Sequence, residues 1–231
     1  MTKRAGVLLS GCGHLDGSEI HEAVLTMLHL DRAGAEVICI APRGNQRDVV
    51  DHATGKEAVG QVRDIMEESA RIARGRIRDL ATVHGRDLDL VVLPGGFGAA
   101  KNLCDFAVAG EKATVHPEVA RLLREMHAAG KPIGAACIAP ALVAALFGRE
   151  LHPVVTIGSD KATASALHAM GARHQDTAVT AAVVDEGNRI VTTPAYMCRA
   201  RISEVSRGIE DMVQQVLRLA GAQGAAAGAA R

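Results

Sequence analysis

Short apolar runs alternate with longer stretches of helical periodicity along most of the chain. Ala5–Ser10, Glu36–Ala41, Leu88–Leu93, Pro132–Ala136 and Val154–Ile157 read as strands. Glu19–Arg32, Gly60–Ala73, Pro117–Ala129, Ile138–Phe147 and Lys161–Met170 read as helices, the first marked by Ile20, Val24, Met27 and Leu28 at helical spacing. Ala178–Val184 and Arg189–Thr193 flank Asp185-Glu186-Gly187-Asn188, a turn between paired strands, and Ser203–Leu219 is a closing helix. Strands of this buried type, separated by helices, predict an α/β protein with a mostly parallel sheet covered on both faces. No long Pro/Ser-rich linker divides the 231 residues, so residues 1–220 read as one domain and the Ala/Gly-rich segment 221–231 as a flexible tail.

Composition excludes several partners. Lys+Arg and Asp+Glu both number 26, so no excess positive charge is present to release counterions from a phosphate backbone. With no Trp, one Tyr and three Phe, platforms for stacking bases are scarce as well, and nucleic acid is not an expected partner. No apolar run reaches about 18 residues, so no membrane-spanning helix is expected. The apolar run after Met1–Arg4 is too short for a signal-peptide core and reads as the first strand. The five cysteines are odd in number, scattered and without zinc-type spacing, which leads to the expectation of a reducing cytoplasm.

Three stretches carry chemistry. In Lys131-Pro-Ile-Gly-Ala-Ala-Cys137-Ile-Ala-Pro140, a strand runs straight into a helix with Cys137 at the joint. Such an elbow projects a nucleophile above the sheet edge. The positive end of the helix is expected to lower the thiol pKa. The plainer reading is a buried, inert cysteine. In Leu93-Pro94-Gly95-Gly96-Phe97, two adjacent glycines let backbone N–H groups converge on an oxyanion, although Pro-Gly-Gly is also an ordinary turn. In Asp16-Gly-Ser-Glu19-Ile-His21-Glu22, Asp16 and Glu19 have capping-box spacing, while Glu22 lies past the first turn and precedes apolar residues. A carboxyl buried near a thiol has a raised pKa and can move protons. On its own, Glu22 reads equally as a solvated helix residue. His14, Asp16, Glu19, His21 and Glu22 crowd together in sequence without H-E-x-x-H, and no metal site is expected.

Taken in order, these stretches resemble the class I glutamine amidotransferase-like superfamily, which includes the PfpI-type peptidases. Within it, Leu8-Leu-Ser-Gly-Cys-Gly13, Asp16–Val24, Leu93–Asn102, Cys137–Pro140 and Val191–Met197 resemble the ElbB-type glyoxalases, which are also described as isoprenoid-biosynthesis proteins with an amidotransferase-like domain. The resemblance spans about residues 4–220. It implies a flavodoxin-like three-layer sandwich, Cys137 as nucleophile, Glu22 as acid/base, and oxyanion-type N–H groups from Gly96 and Ile138. Glu19 and Tyr196 are secondary candidates. The implied activity is glutathione-independent conversion of methylglyoxal or glyoxal to lactate or glycolate, with a small dicarbonyl substrate, no cofactor and a homodimeric state. Two alternatives stand beside it: a redox-sensing protein built on a low-pKa Cys137, and an amidase-like accessory protein. Where a relative might place a histidine partner for the cysteine, Val155–Lys161 has none, and His152 lies a few residues away.

Overall fold

A computed structural model describes residues 2–228, with side chains as far as Gly221. In chain order its elements are β1 (Arg4–Leu8), α1 (Ile20–Arg32), β2 (Glu36–Ala41), β3 (Val50–Asp51), β4 (Lys56–Glu57), α2 (Ile65–Ile72), β5 (Ile77–Asp79), β6 (Leu90–Leu93), α3 (Phe97–Lys101), α4 (Phe106–Ala109), α5 (Pro117–Ala128), β7 (Ile133–Ala136), α6 (Ala139–Leu151), β8 (Val154–Val155), α7 (Lys161–Ala169), β9 (Arg173–His174), β10 (Val183–Asp185), β11 (Ile190–Thr193) and α8 (Ile202–Gly228).

The main sheet has seven strands in the order β10-β11-β7-β6-β1-β2-β5. All neighbours are parallel except β10 and β11. Successive side chains on a strand point to opposite faces, and the two cores follow that alternation. Leu8, Ile40, Val91, Leu93, Ile133 and Ile190 face one side, where α5 and α6 cover them. Val7, Cys39, Leu90, Val92 and Val191 face the other, under α1 and α8. The three-layer sandwich therefore follows from central strands that carry buried apolar residues on both faces. Phe147 on α6 is the largest fully buried side chain, 2% exposed. Phe147→Ala is expected to cost roughly 3–5 kcal/mol, read by urea unfolding.

Several boundaries differ from expectation. The helix expected from Gly60 begins at Ile65, because Asp64 caps it by accepting from the Glu67 N–H at 3.0 Å. Asp16 does not cap α1. Its Oδ2 accepts from the Val50 N–H, and Glu19 is itself the N-cap, accepting from the Glu22 N–H at 2.7 Å. The segment expected as strand Val154–Ile157 forms only β8, which pairs with β9 outside the main sheet. Edge strand β5 is only three residues long and lacks an apolar run. The closing helix extends to Gly228, and residues 229–231 of the expected tail lie outside the described residues.

Three of the four apolar residues that reveal the period of α1 face outward, and Met27 packs against the core. Ile20, Val24 and Leu28 are 44%, 45% and 37% exposed. The buried residues of α1 are Glu22, Ala23, Thr26, His29 and Leu30. This rotation carries a glutamate inside the protein.

Candidate active site

In an open parallel sheet, ligands bind beyond the carboxyl ends of the strands, where the strand order reverses. Here the reversal lies between β1 and β6. The chain leaving β1 enters the loop before α1, the chain leaving β6 enters Pro94-Gly95-Gly96, and the chain leaving β7 reaches Cys137. Backbone bonds zip the first two loops together: Glu19 N–H donates to Gly95 O at 2.9 Å, Phe97 N–H to His14 O at 2.8 Å, and Gly98 N–H to Gly17 O at 2.8 Å.

Cys137 sits at the strand-to-helix joint with φ 60, a left-handed conformation unusual for a residue with a side chain. Its N–H donates to Thr193 O at 2.9 Å, which fastens the strained residue to β11. Pro140 lies in the first turn of α6, where the absent N–H leaves no bond unmade. Cys137 is 7% exposed.

Glu22 is fully buried beneath it. Its Oε2 accepts from the Gly95 N–H at 2.8 Å and its Oε1 from the Tyr196 N–H at 3.1 Å. The carboxyl also hydrogen-bonds the Cys137 sulfur, on which the N–H groups of Gly96 and Ile138 converge. Burial, and then the charge of Glu19, push the Glu22 pKa up to about 7. Burial, and then the charge of Glu22, push the Cys137 thiol well above the ordinary range. The expected low-pKa thiol is therefore corrected. The helix N-terminus is present, but desolvation and a carboxylate in contact with the sulfur outweigh it. Two negative charges are disfavoured in so dry a site, so the pair holds a proton between them.

Both glycines of the loop are required by space. A Cβ on Gly95 would lie 2.7 Å from Glu22 Oε2 and closer still to Cys137 Cβ. Gly96 has φ 90, and a Cβ there would meet Glu19 N and Gly17 O. The Gly95 N–H, expected to serve an oxyanion, is instead occupied by Glu22. We expect Gly95→Ala to destabilise the fold by roughly 1–3 kcal/mol and to change Cys137 reactivity, checked by thermal unfolding and by the rate of thiol alkylation.

A cavity of about 650 Å³ opens in front of Cys137. Glu19, Gly96, Ile138 and Tyr196 line it, together with His14, His21, Phe97, Ala100, Phe106, Ala107, Thr163 and Met197. The Tyr196 hydroxyl pairs with His21 Nδ1 at 2.9 Å. Sequence reasoning noted His21 only within the crowded acids and histidines of segment 14–22, and it did not find the apolar wall. The sparse aromatic content was a usable signal, since two of three Phe and the single Tyr meet at this cavity. His152 is the left-handed C-cap of α6, about 20 Å along that helix from Cys137, and bonds Gly171 O. The acids and histidines of segment 14–22 go to different partners, and among the described residues no three His, Cys, Asp or Glu side chains form a metal-binding group. Among the described residues no helix is long and apolar enough to cross a membrane.

No family model matches the chain. The human protein named glutamine amidotransferase-like class 1 domain-containing protein 3, mitochondrial, is 47% identical over 228 residues, covering 94% of this chain and 84% of its own length. The crystal structure of an isoprenoid biosynthesis protein with amidotransferase-like domain from Ehrlichia chaffeensis is 42% identical, with a TM-score of 0.89 over 94% of this chain and 99% of that one. A protein named DJ-1 homolog B from Arabidopsis thaliana is 34% identical over 55% of this chain and 23% of its own. The cytoplasmic expectation is overturned by the relatives, since the human protein and two ES1 proteins are named mitochondrial. The cysteines are all free, and free cysteines alone identify no compartment.

Proposed function

The chain belongs to the amidotransferase-like class 1 domain family, within the DJ-1/ThiJ/PfpI superfamily, and from that premise we propose that it is a glyoxalase converting methylglyoxal to lactate and glyoxal to glycolate. The observation that carries this reading is the contact of a fully buried carboxyl, Glu22, with the sulfur of Cys137 at the floor of an open cavity.

The chemistry balances within these residues and one water. The Cys137 sulfur attacks the aldehyde carbon, an S–C bond forms, the carbonyl π electrons move to oxygen, and the shared proton of the pair ends on that oxygen. The Gly96 and Ile138 N–H groups, already turned to the sulfur, lie beside the atom that gains charge. The aldehyde carbon is then one bond from a sulfur that Glu22 touches. Glu22 removes its hydrogen as a proton, giving an enediol, and returns the proton to the neighbouring carbon. The first carbon is thereby oxidised to a thioester and the second reduced to an alcohol, so no external oxidant is needed. Water hydrolyses the thioester and releases the hydroxy acid and the thiol. A carboxyl with a pKa of about 7 suits a group that must both take and give a proton near neutrality.

The alternatives fit less well. A redox sensor needs a thiol that is ionised near neutrality, whereas burial and the charge of Glu22 push the Cys137 thiol up. Amide hydrolysis must protonate a leaving amine, and the partners of the sulfur are the Glu22 carboxyl, which accepts from the thiol, and the Gly96 and Ile138 N–H groups, with no histidine among them. The test is lactate and glycolate production by the purified protein without glutathione. Product formation with turnover is expected, and its absence with both substrates overturns the reading.

A further inference from the structure

The cavity before Cys137 is far larger than the substrates just named. It holds about 650 Å³, whereas the five heavy atoms of methylglyoxal fill on the order of 100 Å³, given that one liquid water takes about 30 Å³. A volume of this size is that of a pocket for a drug-sized ligand. Much of its wall is also apolar. Phe97, Ala100, Phe106, Ala107, Ile138 and Met197 all line it. Phe97 remains 47% exposed, a large ring left open at the site. A chain with four Phe and Tyr side chains places three of them here and only Phe147 in the core. Methylglyoxal, small and strongly hydrated, gains little from such a wall.

We propose that this wall is an apolar subsite for the substituent of a 2-oxoaldehyde R–CO–CHO, with R a branched alkyl, cycloalkyl or aryl group of roughly six to ten carbons. The inference rests on the glyoxalase reading and names its substrate class. The reacting atoms are unchanged: sulfur adds to the aldehyde carbon, the proton moves between the two oxygen-bearing carbons, and water releases a 2-hydroxy acid bearing R. The substituent makes and breaks no bond. Its burial against Phe97, Phe106 and Met197 holds the aldehyde carbon over the sulfur. Each fully buried methylene contributes roughly fourfold in binding, and on this partly open wall about three of the five carbons that cyclohexyl adds to methyl are expected to be buried.

The test is kcat/KM across methylglyoxal, isobutylglyoxal and cyclohexylglyoxal, a series with similar carbonyl electronics. The expected result is a rise on the order of 100-fold along the series, carried largely by KM. In Ala107→Glu, an exposed position where a carboxylate is compatible with folding, the ratio of cyclohexylglyoxal to methylglyoxal is expected to fall at least about tenfold. A flat or falling series in the wild type overturns the proposal.

A second arm needs no turnover. Cyclohexyl methyl ketone and acetone are compared for slowing iodoacetamide alkylation of Cys137, read by mass spectrometry. The subsite predicts half-protection by the larger ketone at a concentration about 100-fold lower. If no dicarbonyl is turned over but this preference holds, the glyoxalase reading fails and the apolar subsite stands. If the ketones protect equally, the subsite falls even when methylglyoxal is consumed.

Discussion

Cys137→Ser is expected to lower kcat/KM for methylglyoxal at least about 1,000-fold while leaving the fold intact. The large loss follows from the role of sulfur as the atom that becomes covalently bonded to substrate. A serine hydroxyl at this position meets the same Gly96 and Ile138 N–H groups and the same Glu22 carboxyl. Glu22, with a pKa of about 7, is far too weak a base to generate an alkoxide. Stability should change little, because serine is close to cysteine in size and the buried hydroxyl finds hydrogen-bond partners ready. Activity and urea unfolding are measured together. A variant that keeps more than a tenth of wild-type kcat/KM removes Cys137 from the mechanism.

Glu22→Gln is the second large effect, with an expected loss of roughly 100- to 10,000-fold in kcat. It also has a signature in stability that reports the raised pKa itself. Glu22 titrates at about 7 in the folded chain against 4.5 for the ordinary carboxyl. Between those values the folded chain holds a proton that the unfolded chain has released. Raising the pH from about 4.5 to about 7 therefore destabilises the fold, by a few kcal/mol at most, and the effect levels off above that range. Carboxylates such as Asp79 and Glu125, held below their ordinary values, contribute the opposite trend at lower pH. The difference between wild type and variant isolates Glu22. Glu22→Gln should be less stable at low pH, where its amide cannot satisfy both the Gly95 and Tyr196 N–H groups, and should lack this decline. Parallel pH–stability curves for the two proteins contradict the assignment.

The parts of the site legible in the sequence are those with a local cause. The β7–α6 joint was readable because an apolar run meets Pro140 within four residues of Cys137. The sheet was readable because its strands are apolar on both faces. Glu22 was harder, since the apolar stripe of α1 suggested a buried face that in fact looks outward. Only the packing of α1 against α8 and the two loops shows that Glu22 lies inside. The direction of the Cys137 pKa went the other way from expectation because the helix terminus is visible in sequence, whereas a carboxylate 115 positions away is joined to the sulfur only by the fold. The apolar wall has no local signature either. Phe106, Thr163 and Met197 come from α4, α7 and the segment after β11, which meet only in three dimensions.

The most direct test of the paired Cys137–Glu22 mechanism is rapid-quench mass spectrometry of the Cys137 peptide during methylglyoxal turnover. The account predicts an adduct on Cys137 that forms no more slowly than product appears, decays to the free thiol, and accumulates in Glu22→Gln, where the proton transfer after addition is blocked. Steady turnover by the wild type with Cys137 unmodified throughout would contradict it.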